Sequence, residues 1–115
     1  MRTPHDQHID YVELPSSDVA AGKRFYQSVF GWSYQDWGDE YADTHDSGVS
    51  SGLSADPTRT KAPLVVVFVT DLEAAHARVI AAGGNVSRAI FTFPGGRRFH
   101  FVDPAGNELA VWTKP

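Results

Sequence analysis

The chain has 115 residues, 42% of them hydrophobic and 21% charged, with a net charge of −4. That is enough for one compact domain with a modest core, and an acidic balance without a basic run argues against nucleic-acid binding. Cysteine is absent, which excludes disulfides, thiolate metal sites and cysteine nucleophiles.

No apolar run approaches the ~20 residues that span a bilayer. The start, MRTPHDQH, is polar and has no signal-peptide apolar region, so a cytoplasmic protein without membrane contact is expected. IDYVELP (9–15) alternates and predicts a strand. SSDVAAGKRFYQSVF (16–30) predicts a helix with an apolar stripe of Val19, Phe25, Tyr26, Val29 and Phe30, and Gly31 stands where a C-terminal cap belongs. WSYQDWG (32–38), EYADTH (40–45) and VSSGLS (49–54) predict short strands. ADPTRTKAP (55–63) is a polar connection bounded by prolines. LVVVFV (64–69) is a β-branched run, apolar on both faces, and predicts a strand buried on both.

Thr70 and Glu73 have the capping-box spacing, and the helix they open runs to Gly83 and Gly84. NVSRAIFTF (85–93) predicts extended chain and PGG (94–96) a turn. RRFHFV (97–102) and NELAVW (107–112) predict two strands joined by DPAG, a turn signal.

The two halves repeat. Asp18 and Asp71 lie 53 residues apart, and each begins a helix that ends at glycine. Each half reads strand, helix, then about three strands: two similar units, each too small to bury its own sheet. The expectation is an α+β fold with helices on one sheet face.

The strand pleat sorts the side chains. Phe99 and Phe101 share one face, and Arg98, His100 and Val102 the other. Leu109 and Val111 oppose Glu108, Ala110 and Trp112; Val12 and Leu14 oppose Ile9, Tyr11 and Glu13. In the simple hairpin register, Val102 faces Glu108, His100 faces Ala110 and Arg98 faces Trp112. Each of the three strands has an apolar face for a helix and a mixed face. The mixed faces predict a cleft lined by Tyr11, Glu13, Arg98, His100, Glu108 and Trp112, the makeup of a small-molecule site.

Three runs carry a resemblance: YVELPSSDVAAGKRFYQSVFGW, VTDLEAAHARVIAAGGNV and GGRRFHFVDPAGNELAVW. Together they resemble the glyoxalase/bleomycin resistance/dioxygenase superfamily, the vicinal oxygen chelate proteins, over nearly the whole chain. The resemblance implies one such domain over residues 1–115, made of two βαβββ modules at about 8–55 and 63–113. Their mixed sheet would curl around a cleft, often in a homodimer. It implies a lyase, isomerase, epimerase or dioxygenase, or a protein that sequesters a drug. It also marks four metal-ligand positions, which here hold Tyr11, Leu64 or Val65, Ala110 and the carboxylate-free stretch 49–54. None suits a divalent metal, so no metal and no cofactor are expected.

The expected function is therefore binding or transformation of a small organic molecule, in a homodimer, with Trp37 and Tyr41 as candidate contacts between copies. His100, Glu13 and Glu108 are the candidate acid–base groups. Tyr11, Arg98, Trp112, Tyr41 and Trp32 are candidate ligand contacts. One alternative is a metal-dependent lyase or dioxygenase with ligands relocated to Glu13, His100 and Glu108. Another is a non-catalytic drug-binding or protein-interaction domain. Blander readings stand beside these: His100 as a cross-strand partner, Glu108 as a solvated strand-end charge, Arg97 as a surface charge, and the aromatics as core or interface. Asp103 is read as the cap of its own turn.

Overall fold

The computed structural model describes residues 3–58 and 61–115. Positions 59 and 60 of the polar connection lie outside the described residues. The described residues form β1 (His8–Pro15), α1 (Val19–Phe30), β2 (Gln35–Asp36), β3 (Tyr41–Thr44) and β4 (Ser50–Ser54), then β5 (Leu64–Phe68), α2 (Leu72–Ala81), β6 (Asn85–Phe93), β7 (Gly96–Val102) and β8 (Glu108–Thr113). The fold is α+β, and the order βαβββ occurs twice, as the repeat predicts.

The chain divides into two compact units, residues 11–64 and residues 3–10 with 65–115. Residues 3–10 thus group with the later unit, although β1 begins at His8. The cause is hydrogen bonding of the first segment to the later one. Gln7 N donates to Phe68 O at 2.7 Å, Thr70 N to the Asp6 carboxylate at 2.9 Å, and Trp112 Nε1 to the Asp10 carboxylate at 3.1 Å.

In the unit of residues 11–64, β1 pairs parallel with β4, and β4 and β2 flank β3 in antiparallel pairs. Asp18 caps α1 by accepting from Ala21 N at 3.0 Å, and Gly31 closes it at φ 76°. Val19 packs with Ala42 and Leu53, and Leu14, Tyr26 and Tyr34 lean on this core. Gly22 lets the helix come close, since a Cβ there would lie 3.0 Å from a Leu53 methyl. The expected stripe is only partly buried: Phe25, Val29 and Phe30 are exposed. The line toward the sheet is Val19, Gly22 and Tyr26, a narrower set than the apolar count suggests.

The other unit repeats the pattern. Strand β5 pairs parallel with β8, and β8 and β6 flank β7 in antiparallel pairs. Asp71 caps α2 through Ala74 N at 3.0 Å. The expected capping box does not form. Glu73 turns instead to Arg97 on β7 and takes both terminal nitrogens, Nη2 at 3.3 Å; Arg97 is thus a partner of the helix. Phe99, Val111, Val69, Leu72 and Ala75 form the core beneath α2, with Val67, Val79, Val86, Ile90 and Phe101 against it. Each large buried side chain of this kind contributes about 1.5–3 kcal/mol. The pleat then turns the alternate residues of β7 and β8 to the face away from α2.

Candidate functional site

Two polar clusters lie on strand faces turned from the helices, one in each unit. In the unit of residues 11–64, the parallel register sets Tyr11 beside Ser50 and Glu13 beside Gly52. The Tyr11 and Tyr41 hydroxyls meet at 2.6 Å, and Tyr41 donates to the Glu13 carboxylate at 3.2 Å. Glu13 is buried. Gly52 makes room for the pair: a Cβ there would sit 2.1 Å from the Tyr11 hydroxyl and 2.5 Å from that of Tyr41. Burial raises the Tyr41 pKa first, and the neighbouring Tyr11 and Glu13 raise it further. Tyr41 therefore stays protonated, a donor rather than a phenolate.

In the other unit the hairpin has the simple register, Arg98 opposite Trp112, His100 opposite Ala110 and Val102 opposite Glu108. Asp103 sets the turn. Its carboxylate accepts from Ala105 N and Asn107 N at 2.9 Å and from Asn107 Nδ2 at 3.0 Å. His100 is 2% exposed. Its Nδ1 stands 3.3 Å from Glu108 Oε2. An ionised carboxylate only accepts, so Nδ1 carries the proton and Nε2 holds a lone pair. Glu108 is also held by the Ser87 hydroxyl at 3.0 Å. Nε2 has no hydrogen-bond partner among the described residues. Burial lowers the His100 pKa first, and Arg98 lowers it further; Glu108 opposes this and Arg88 adds to it. The imidazole is neutral at pH 7.

Aromatic rings frame this face. Phe91 lies 6.0 Å from the imidazole, Trp112 lies 5.1 Å from Phe68 and 6.3 Å from Phe93. The Arg88 guanidinium sits 4.0 Å over Phe91, and that of Arg98 sits 5.6 Å from Phe91 and 5.7 Å from Phe93. Of the residues singled out from sequence, the structure thus brings together Tyr11, Glu13 and Tyr41 in one unit. It brings together Arg98, His100, Glu108 and Trp112 in the other. Trp32 joins neither group: it stacks on Tyr26 and Phe30 at 5.3 and 5.1 Å, beside α1. Tyr41 bonds to Tyr11 and Glu13 on its own sheet, whereas Trp37 is exposed. Phe68, Phe91, Phe93, Asp10 and Gly52 were not anticipated. The i, i+2 spacing of Phe91 and Phe93 is the one signal that pointed to a shared face.

A family model for the Glyoxalase/Bleomycin resistance protein/Dioxygenase superfamily matches residues 8–111. The chain belongs to this superfamily. Anthracycline biosynthesis protein DnrV of Streptomyces peucetius is 33% identical over 126 residues, covering 90% of this chain and 46% of its own. The Mycobacterium tuberculosis protein named "Putative glyoxylase CFP32" is 29% identical over 116 residues, covering 90% and 44%. The chain spans less than half the length of the curated relatives it matches. A superfamily member from Vibrio splendidus shares the fold, with a TM-score of 0.70 at 19% identity over 94% of this chain and 99% of that one.

The positions that the resemblance marks for a metal hold no imidazole or carboxylate. The Tyr11 hydroxyl is engaged with that of Tyr41, Ala110 has no donor atom, and β4 supplies serines, Gly52 and Leu53. Among the described residues, no three His, Asp or Glu side chains are placed to hold a metal ion.

Two measurements probe these clusters. Gly52→Ala is expected to force the tyrosine hydroxyls apart and to destabilise by about 1–3 kcal/mol in urea unfolding, the usual cost of overpacking. Unchanged stability would show that the tyrosines turn away freely. For His100, the unfolded chain binds a proton below about pH 6.5 while the folded chain resists it. Stability is therefore expected to fall as pH drops from that value to the lower folded pKa, and to level off below it. In His100→Gln the slope in this window should shrink; an identical slope in the variant would remove His100 as its source. Asp103, held down by Asn107, and Glu73, held down by Arg97, act at more acidic pH.

Proposed function

We propose that this chain binds a small organic molecule on the β6–β7–β8 face turned away from α2, without a resident divalent metal. The observation that carries this reading is His100: a buried, neutral imidazole whose Nε2 has no hydrogen-bond partner among the described residues, beside the rings of Phe91, Phe93 and Trp112. Small-molecule sites are mostly apolar with a few placed polar groups. In this reading His100 accepts a hydrogen bond or a proton from the ligand at Nε2. Glu108 fixes the tautomer and steadies the imidazolium when the proton is taken. The relatives' names, a glyoxylase and an anthracycline biosynthesis protein, agree with a small organic ligand and differ on the reaction.

A melting screen against small aromatic and carbonyl compounds tests this. At a hundred times its Kd a ligand adds about 2.7 kcal/mol, a shift on the order of 10 °C for a chain of this size. His100→Ala, still folded, is expected to lose that shift. The purified protein is expected to hold no stoichiometric metal, and chelator to leave its Tm unchanged. About one Zn, Ni, Fe or Mn per chain, lost together with stability on chelation, would overturn the metal-free reading.

We also propose that the chain self-associates. Phe25, Val29 and Phe30 on α1, with Trp37, leave large apolar groups in water, as interfaces between copies do. Light scattering at micromolar concentration is expected to give twice the monomer mass of 12.6 kDa; a monomer mass would refute pairing.

A further inference from the structure

We propose that the ligand of the β6–β7–β8 face is a planar molecule bearing an acidic hydroxyl, a phenol or an enol, which donates to His100 Nε2. This rests on the binding reading above and narrows it to a chemical class.

The argument begins with the orphaned atom. A buried acceptor without a partner is costly, and native structures rarely leave one. Nδ1 is committed to Glu108, so Nε2 accepts and does not donate. Its partner must bring a hydrogen. Within this unit the charged groups toward the imidazole are Arg98 on its own strand, Arg88 on β6 and Glu108 on β8. Asp10 approaches the same face through Trp112. Helix α2 packs on the opposite side, against Phe99. Two guanidinium groups beside the imidazole disfavour an ammonium donor, which leaves a neutral N–H or O–H.

The walls choose the shape. Phe91 flanks the imidazole and Phe93 stands against Trp112. Aromatic walls favour a flat ring system that can stack in offset or edge contact. A hydroxyl on such a ring, or on an enol, is far more acidic than an aliphatic alcohol. It therefore makes the stronger bond to imidazole and can give up its proton. The step balances simply: the ligand O–H bond breaks, the N–H bond forms at Nε2, and the imidazolium charge faces Glu108 while the oxygen keeps its electron pair.

Naphthol and its methyl ether make the test, because they differ only in the hydroxyl hydrogen and its replacement. Binding of each to the whole chain is measured by calorimetry at neutral pH. Naphthol is expected to bind at least about tenfold more tightly than the ether, the size of one buried hydrogen bond lost. The preference is expected to vanish in His100→Leu and to persist in His100→Gln, whose side-chain oxygen still accepts. It should also fade as pH falls below the ordinary histidine value, because protonated Nε2 no longer accepts. Should His100→Leu fail to fold, His100→Gln and the pH series still decide. Equal binding of naphthol and its ether overturns the hydroxyl requirement and leaves small-molecule binding intact. No binding of naphthol, while other compounds of the melting screen bind, overturns the chemical class. No binding by any compound overturns the binding reading and this inference together.

Discussion

The register of the hairpin between β7 and β8 is the constraint on which the β6–β7–β8 site depends. Side chains alternate along a strand, so a slip of one residue exchanges every inward group for an outward one. Here the exchange would bring His100 and Arg98 under α2 and push Phe99, now fully buried, to the other face. Asp103 and Gly106 prevent it. The Asp103 carboxylate gathers three donors from the turn, and Gly106 takes φ 93° without a Cβ penalty. A solvent-exposed turn thus decides which residues meet the helix and which are left on the other face. The hydrophobic effect enforces the decision, since Phe99 and Val111 gain most beneath α2.

The other unit solves a similar problem by different means. Its open face carries a buried carboxylate and two phenols, groups that are expensive to bury unpaired. The two hydroxyls and Glu13 pair with one another, and Gly52 supplies the space. The two units thus share an element order and differ in what they place on the free face. One carries a pair of tyrosines tied to an acid, the other an imidazole tied to an acid among aromatic rings. The common backbone explains why the internal repeat is visible, and the divergent free faces explain why it is weak.

The legible parts of the fold were those that depend on local pattern. The two asparagine-free caps, Asp18 and Asp71, the glycine stop at Gly31 and the alternation in β7 and β8 each depend on a few consecutive residues. The same holds for the face assignment of Arg98, His100, Glu108 and Trp112. What could not be read depends on pairing or irregularity. The i, i+2 spacing of Phe91 and Phe93 puts them on one face, but which face could not be read because β6 shifts register twice before them, between Val86 and Arg88 and again between Arg88 and Phe91. The Tyr11–Tyr41 contact needs β4 to lie between their strands, an order that no local signal specifies. Trp32 was read from its aromatic character as a ligand contact, and the structure stacks it on Tyr26 and Phe30, close to it in sequence. Glu73 fits a capping box by spacing, but an arginine brought alongside by tertiary folding competes better for its carboxylate.

The same distinction bears on the superfamily's metal chemistry. A divalent ion needs donors that replace its water, and anionic or imidazole ligands do so far better than neutral hydroxyls. The marked positions hold a phenol bonded to another phenol, an apolar Leu64 or Val65, an alanine without a donor, and the carboxylate-free stretch 49–54. The titratable groups of the two free faces stand elsewhere, each bonded to a neighbour that sets its proton. Glu108 fixes the proton of His100 on Nδ1, and Glu13 takes the hydrogen of Tyr41. A site of this kind is organised around the placement of protons. In the proposed reading, binding strength would depend on pH through one buried imidazole, and selectivity on whether a ligand presents a hydrogen to it.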